Sequence, residues 1–80
     1  MVHSAAFGSL LRARRRALGL TQGQLGAQAG ISAGRVQQLE VGGFVRLPSP
    51  DVLAALAESL HLPLGRLLAT AGYGGKGDAA

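Results

Sequence analysis

The fold of this chain is decided by the stretch Thr21-Gln-Gly-Gln-Leu-Gly-Ala-Gln-Ala-Gly-Ile-Ser-Ala-Gly-Arg-Val-Gln-Gln-Leu-Glu40. Apolar residues recur there at helical spacing in two short segments, 22–29 and 33–41, which predicts two helices. Gly30 stands between them, and glycine takes the positive φ of a tight turn without strain. Thr21 and Ser32 directly precede the segments, where a hydroxyl can cap a helix N-terminus.

Small residues occur where two crossed helices must touch. Gly26 and Ala29 leave room for close approach, and the residues predicted to be buried behind the turn are Ile31, Val36 and Leu39. At about 100° per residue, the outward side of the second helix carries Gly34, Gln37 and Gln38, flanked by Ala33 and Arg35. This layout is typical of a helix-turn-helix, which places its second helix in the DNA major groove. A plain helical hairpin with solvated glutamines is the alternative, but the coincidence of turn, cap and spacing favours DNA reading.

The remainder of the chain also has helical periodicity, so the predicted fold class is all-α, with five helices in one unit. The first helix is predicted over 5–18, where the apolar residues Phe7, Leu10, Leu11, Ala17 and Leu18 recur at helical spacing. Pro50-Asp51 opens a fourth helix, which presents Val52, Leu53, Leu56, Ala57 and Leu60. Pro63 opens a fifth, with Leu64, Leu67 and Leu68. We expect residues 1–4 to be a flexible lead, 5–71 a single domain and 72–80 a flexible Gly-rich tail.

Composition narrows the classes of function. The net charge is +4 over 80 residues, which suggests a polyanionic partner. The chain has no cysteine, which excludes disulfides and thiolate metal sites and fits a cytoplasmic location. No apolar run is long enough to cross a membrane, and no secretory signal is visible. The sequence contains no nucleophile–base pair, paired carboxylates, metal-ligand spacing or cofactor loop, so we expect neither an enzyme nor a cofactor.

The chain resembles the phage-repressor-like helix-turn-helix regulators, also called the xenobiotic-response-element family. The resemblance spans about residues 5 to 70 and is carried most specifically by Leu20-Thr21-Gln22 and by Leu39-Glu40 followed by Gly42. Other matching positions are Phe7-Gly8, Leu11-Arg12, Arg15, Leu25, Ala29-Gly30-Ile31-Ser32, Val36, Pro48-Ser49-Pro50, Leu53, Leu56-Ala57, Leu60 and Leu67-Leu68.

The resemblance implies a five-helix, repressor-like DNA-binding domain that reads double-stranded DNA with its third helix. Residues at base-contacting positions are then Ala33, Gly34, Arg35, Gln37 and Gln38, with Thr21, Gln22, Ser32 and Arg46 as phosphate or supporting contacts. Arg15 and Glu40 match a structural ion pair of the family. The implied function is a transcriptional regulator that acts as a homodimeric repressor. A further protein partner is compatible with this function.

Two departures from the family pattern leave alternatives open. Ala33 and Gly34 are small where many relatives carry base-reading side chains, so readout falls on Arg35, Gln37 and Gln38. The loop between Glu40 and Pro48 is longer than usual, and Phe44 within it has three possible roles: packing on the core, contacting the sugar-phosphate strand or meeting a second subunit. These departures leave an alternative open. The protein is then either a helical protein-interaction module or an antitoxin-type autoregulator with weak DNA reading.

Overall fold

The computed structural model of the protein describes residues 4–42 and 48–72, and this part of the chain consists of helices and short connections. The helices are α1 (Ser4–Ala17), α2 (Gln22–Ala29), α3 (Ala33–Val41), α4 (Pro50–Leu60) and α5 (Leu64–Ala71). The all-α, five-helix prediction is confirmed, and the predicted bounds of α2 and α3 are those of the structure. Residues 1–3, 43–47 and 73–80 lie outside the described residues, and with them most of the predicted lead (1–4) and tail (72–80). Ser4, which we placed in the lead, is the first residue of α1 instead.

Side-chain caps explain where three of the helices begin. Thr21 Oγ1 accepts a hydrogen bond from the Gln24 backbone N–H, and the Gln24 side chain accepts one from the Thr21 N–H, which completes a capping box. Ser32 and Ser49 cap α3 and α4 with a single bond each, because their hydroxyl oxygens accept from the backbone N–H groups of Arg35 and Val52. Because each cap satisfies a backbone N–H that has no partner within the helix, these starts are specified by local sequence.

One apolar core joins all five helices. Helix α3 packs mainly on α1 and α2, α4 packs on α2 and α5, and α5 also contacts α1. The fully buried side chains are Phe7, Leu11, Leu25, Val36, Leu39, Leu53, Leu56, Leu60 and Leu67. Burial of each such side chain stabilises the fold by roughly 1.5–3 kcal/mol relative to exposure. The core therefore supplies the main fixed support behind α3.

Two of the apolar residues at helical spacing in the predicted first helix, Ala17 and Leu18, are exposed rather than packed on the core. Helix α1 ends at Ala17, and Leu18, the first residue after it, is 37% exposed. The last turn of α1 reaches its neighbours through arginines instead. Arg14 donates to the backbone carbonyl of Leu60, and Arg15 reaches Glu40. A pattern of apolar residues could not anticipate that charged side chains would occupy the packed face of this turn.

Helix α5 differs slightly from its prediction. Its first residue is Leu64, so Pro63 is the residue before the helix rather than its first member. Leu67 is buried, Leu68 is partly buried and Leu64 is 41% exposed. Leu64 and Leu68 are therefore the two leucines of α5 that remain partly open to solvent.

Candidate nucleic-acid interface

The glycine turn holds α2 and α3 in very close contact. Gly30 has φ 79°, the left-handed conformation predicted for it. A Cβ atom added at Gly26 would lie 2.5 Å from the Ile31 carbonyl oxygen, so the backbone of the turn rests directly on α2. The room at Gly26 is thus used by the turn that leads into α3. Only a residue without a side chain fits there, which sets the position of the third helix.

The outward side of α3 forms an open concave surface. Its lining residues are Ser32, Gly34, Arg35, Gln37, Gln38 and Val41. A Cβ added at Gly34 would meet only Ser32 Oγ, at 3.9 Å, so this position leaves open space in front of the helix. Ala33 is also exposed. The structure therefore brings four of the five residues predicted to contact bases onto one surface, with Ala33 beside it.

Two of these side chains are hydrogen-bonded to each other. Arg35 Nη1 donates to Gln38 Oε1 at 3.0 Å, across one turn of the helix. The backbone N–H of Arg35 also donates to Ser32 Oγ at 3.0 Å, so Ser32 serves as the helix cap. Gln37, one residue before Gln38, is exposed on the same surface. The surface thus combines amide groups with a cation that is already held in a defined orientation.

Behind α3, a buried carboxylate ties three helices together. The side chain of Glu40 has no exposed area. Arg15 Nε donates to Glu40 Oε2 at 2.6 Å and Arg15 Nη2 to Oε1 at 3.0 Å, which is the bidentate geometry of a strong ion pair. Arg15 Nη1 also donates to the Leu20 carbonyl at 2.9 Å. Arg15 and Glu40 are therefore scaffold residues between α1 and α3.

Gln22 and Arg12 complete this cluster. Gln22 Nε2 donates to Glu40 Oε1 at 3.1 Å, which links the start of α2 to α3. Arg12 Nε lies 3.6 Å from the same oxygen, beyond good hydrogen-bond geometry, and its side chain is 42% exposed. Gln22 therefore braces α3 directly. Arg12 lies beside the same carboxylate, and its Nε is buried without a hydrogen-bond partner in the part of the chain that the structure describes.

The cluster shifts the pKa values of both Glu40 and Arg15. Burial alone would raise the pKa of Glu40, but hydrogen bonds from Arg15 and Gln22 and the charge of Arg15 outweigh it and leave the pKa below its usual value. The hydrogen bond to Glu40 raises the pKa of Arg15. Glu40 is thus an ionised carboxylate at neutral pH although it is buried, and α3 is anchored by charge as well as by apolar packing.

Three contributors to this region were missed by reasoning from sequence. Gly8 lies where α1 crosses α3, and an added Cβ would overlap the Glu40 carbonyl oxygen and lie 2.7 Å from that of Leu39. Arg14 bonds the Leu60 carbonyl through Nε at 3.2 Å and Nη2 at 3.1 Å. Val41 is 61% exposed on the α3 surface. For Val41 the signal was available, since it follows Gly34 by seven residues and so shares its face.

Some predicted features cannot be located in the structure. Arg46 and Phe44 lie outside the described residues. Within 4–42 and 48–72, no group of three or more His, Cys, Asp or Glu side chains could hold a metal ion. No helix in these same ranges has the length and apolar character needed to cross a bilayer.

The chain is similar to several known regulators. A family model described as helix-turn-helix matches residues 11–67. The transcriptional repressor RghR of Bacillus subtilis is 38% identical over 68 residues, which cover 85% of this chain. The chain spans about half the length of the curated relatives it matches: 50% of RghR and 48% of the regulator RghRB from the same organism.

Two solved structures with bound DNA share the fold. The P22 c2 repressor in complex with a synthetic operator is 31% identical, with a TM-score of 0.72, and the match covers 80% of this chain and 94% of that one. PlcR of Bacillus thuringiensis, in complex with the peptide PapR7 and DNA, is 28% identical with a TM-score of 0.73. That match covers 88% of this chain and 24% of PlcR, so the likeness is confined to about a quarter of PlcR.

Proposed function

Because the chain belongs to the helix-turn-helix family, we propose that it is a transcriptional regulator that binds double-stranded DNA sequence-specifically. Helix α3 is the reading element and enters the major groove. The observation that carries this proposal is the concave surface lined by Ser32, Gly34, Arg35, Gln37, Gln38 and Val41. It carries amide and guanidinium groups, lies on one face of α3 and is supported from behind by the buried Glu40.

The chemistry of this surface suits base edges and phosphates. Arginine pairs with the acceptors of guanine, and glutamine offers both a donor and an acceptor. The absence of side-chain bulk at Ala33 and Gly34 lets the N-terminus of α3 approach DNA closely. The first turn of α2, with Thr21 and the second amide N–H of Gln22, would meet a phosphate, and Arg46 would add another contact from the loop.

Support from behind matters because base reading requires a fixed helix. The position of α3 against α1 and α2 is restricted in two ways. Gly8 and Gly26 allow direct backbone contact, and Arg15 and Gln22 bind the side chain of Glu40. Charged and backbone groups that do not touch DNA would therefore set the register of the groups that do. Phosphate contacts then position the protein, and base contacts specify the sequence.

The proposed assembly is a homodimer that represses transcription in the cytoplasm. A single small domain gains affinity by pairing, and a two-fold dimer would read half-sites about one helical turn, roughly 34 Å, apart. The partly exposed Leu64 and Leu68 of α5 are the residues proposed for the seam between subunits. No catalytic role is proposed for any residue.

The test is a salt titration of duplex binding with matched arginine variants. The Arg35→Ala variant should lose about 1–3 kcal/mol of affinity for a duplex that the wild-type protein selects from a random pool, since it removes a base-reading side chain. Arg66→Ala removes one equal charge from exposed α5, outside the α3 surface, and should change affinity far less. Affinity should also fall as salt rises, through release of counterions. Failure to bind any duplex at low salt would refute the proposal.

The second candidate is a helical protein-interaction module. It is favoured by Val41, which is 61% exposed at the C-terminal end of the α3 surface. Exposed apolar area of this kind is as suitable for a protein contact as for DNA. If Val41→Ala weakens binding of a protein partner while Arg35→Ala leaves every duplex affinity unchanged, this second function is the correct one.

A further inference from the structure

The hydrogen bond between Arg35 and Gln38 has consequences for which base the protein reads. Arg35 Nη1 donates to Gln38 Oε1 at 3.0 Å on the exposed side of α3. From this geometry we propose that Arg35 and Gln38, hereafter the Arg35–Gln38 pair, act as one donor unit that selects guanine in each half-site. This inference rests on the proposed function, since it names the base that the same surface recognises.

The orientation of the Gln38 amide follows from the chemistry of arginine. A guanidinium carries only N–H donors, so an amide that bonds to it must turn its oxygen toward it. The amide nitrogen of Gln38, with its two N–H donors, then points away from Arg35. Reversing the amide would place donor against donor. The Arg35–Gln38 pair therefore engages the glutamine's acceptor and presents its donors to a ligand.

The donors that Gln38 presents predict a base preference, because each base offers a different set of donors and acceptors in the major groove. Guanine presents two acceptors, N7 and O6, whereas adenine presents one acceptor and one donor. The bidentate pairing of glutamine with adenine needs the amide oxygen as an acceptor, and in Gln38 one of the two lone pairs of that oxygen already accepts from Arg35, which holds the oxygen toward the guanidinium. The positive charge of Arg35 also strengthens the neighbouring amide donors by polarisation. Both effects favour guanine opposite Gln38.

Gln37 provides an internal comparison. It lies on the same surface, one residue away, and its side chain has no hydrogen bond to another residue within 4–42 or 48–72. Its donor and its acceptor are both available, so it retains the choice of adenine. Two adjacent glutamines are thus expected to read different bases because only one of them is paired with Arg35.

The experiment is selection from a random duplex pool, followed by direct titration. Wild type, Gln38→Leu and Gln37→Leu are each used to enrich bound sequences, and the position at which Gln38→Leu loses preference is identified. We expect guanine there in the wild-type consensus, and a different position for Gln37→Leu. In that duplex the guanine is then replaced by 7-deazaguanine, which lacks N7, or by inosine, which keeps N7 and O6.

The titrations have defined outcomes. For wild type, 7-deazaguanine should weaken binding roughly 5- to 150-fold, while inosine should have less than about a two-fold effect, because it keeps both major-groove acceptors. Gln38→Leu should bind both duplexes equally. The combined loss in an Arg35→Ala/Gln38→Leu protein should be smaller than the product of the single losses, since the residues act as a unit.

Other results would overturn the inference. Adenine or thymine at the Gln38-dependent position, or an equal effect of 7-deazaguanine on wild type and Gln38→Leu, would contradict donor-only reading while leaving DNA binding intact. Enrichment of no sequence by wild type would instead refute the proposed sequence specificity, and this inference with it. Thermal unfolding of each variant checks that the fold is unchanged, as expected for the exposed Gln37 and Gln38 and the half-buried Arg35.

Discussion

Replacing Gly8 with alanine should push α1 away from α3 and destabilise the domain, although alanine is the better helix former. The added methyl group would overlap the Glu40 carbonyl oxygen and lie 2.7 Å from the Leu39 carbonyl oxygen. Non-bonded contacts of this kind need roughly 3.5 Å. The obstacles are backbone atoms of a capped and packed helix, so they cannot move aside as a flexible side chain would. The two helices must therefore separate by about 1 Å.

The size of the effect follows from two opposing terms. Overpacking of a tight contact costs about 1–3 kcal/mol, and a backbone obstacle places this case near the upper value. Replacing a glycine in the interior of a helix with alanine by itself stabilises the fold by roughly 0.5–1 kcal/mol. The net loss is about 2 kcal/mol, which corresponds to a decrease in Tm of roughly 8–16 °C for a domain of this size. DNA affinity should fall as well, because the separation stretches the Arg15–Glu40 ion pair.

Gly23→Ala is the matched control, since Gly23 also lies within a helix. Its nearest neighbour would be Thr21 Oγ1 at 3.9 Å, an ordinary contact. This variant should gain roughly 0.5–1 kcal/mol, and its Tm should rise. Thermal and urea unfolding followed by circular dichroism measure both proteins. A Gly8→Ala protein as stable as wild type, beside a stabilised Gly23→Ala, would refute the close α1–α3 contact.

Two further predictions concern polar contacts that link separate helices. The lowered pKa of Glu40 means that its contribution to stability is complete above the pKa of an unfolded glutamate, about 4.3, and is lost as pH falls through the lower folded value. Glu40→Gln should lower the free energy of unfolding by about 3 kcal/mol at neutral pH. It should also make Tm depend less steeply on pH in the acid range. An unchanged slope of Tm against acid pH would contradict a lowered pKa of Glu40. Arg14→Ala should lower the free energy of unfolding by about 1 kcal/mol, because it removes two charged donors from the Leu60 carbonyl. Arg16→Ala, an exposed neighbour, should change it by less than about 0.5 kcal/mol, and equal effects of the two arginine variants would contradict a specific role for Arg14.

Contiguous sequence was sufficient to predict the elements of this fold. Thr21, Gly30 and Ser32 specify the ends of α2 and α3 through caps and a positive φ, which depend only on residues a few positions apart. The apolar period then indicated which face of α3 is buried at Val36 and Leu39, and hence which face is open. The residues of the proposed reading surface could be named for this reason, with Val41 as the omission.

Contacts between residues distant in the chain were decided only by the tertiary structure. Arg14 and Leu60 are 46 positions apart, and no periodicity relates them. The same holds for the close approach of Gly8 to the Glu40 carbonyl, and for Arg14 and Arg15, which make the contacts of the last turn of α1. Even the Arg35–Gln38 bond, though local, depends on rotamers that sequence leaves free. Local propensity thus determined the helices and the turn, whereas packing in three dimensions determined how firmly α3 is held and which hydrogen-bonding groups it presents.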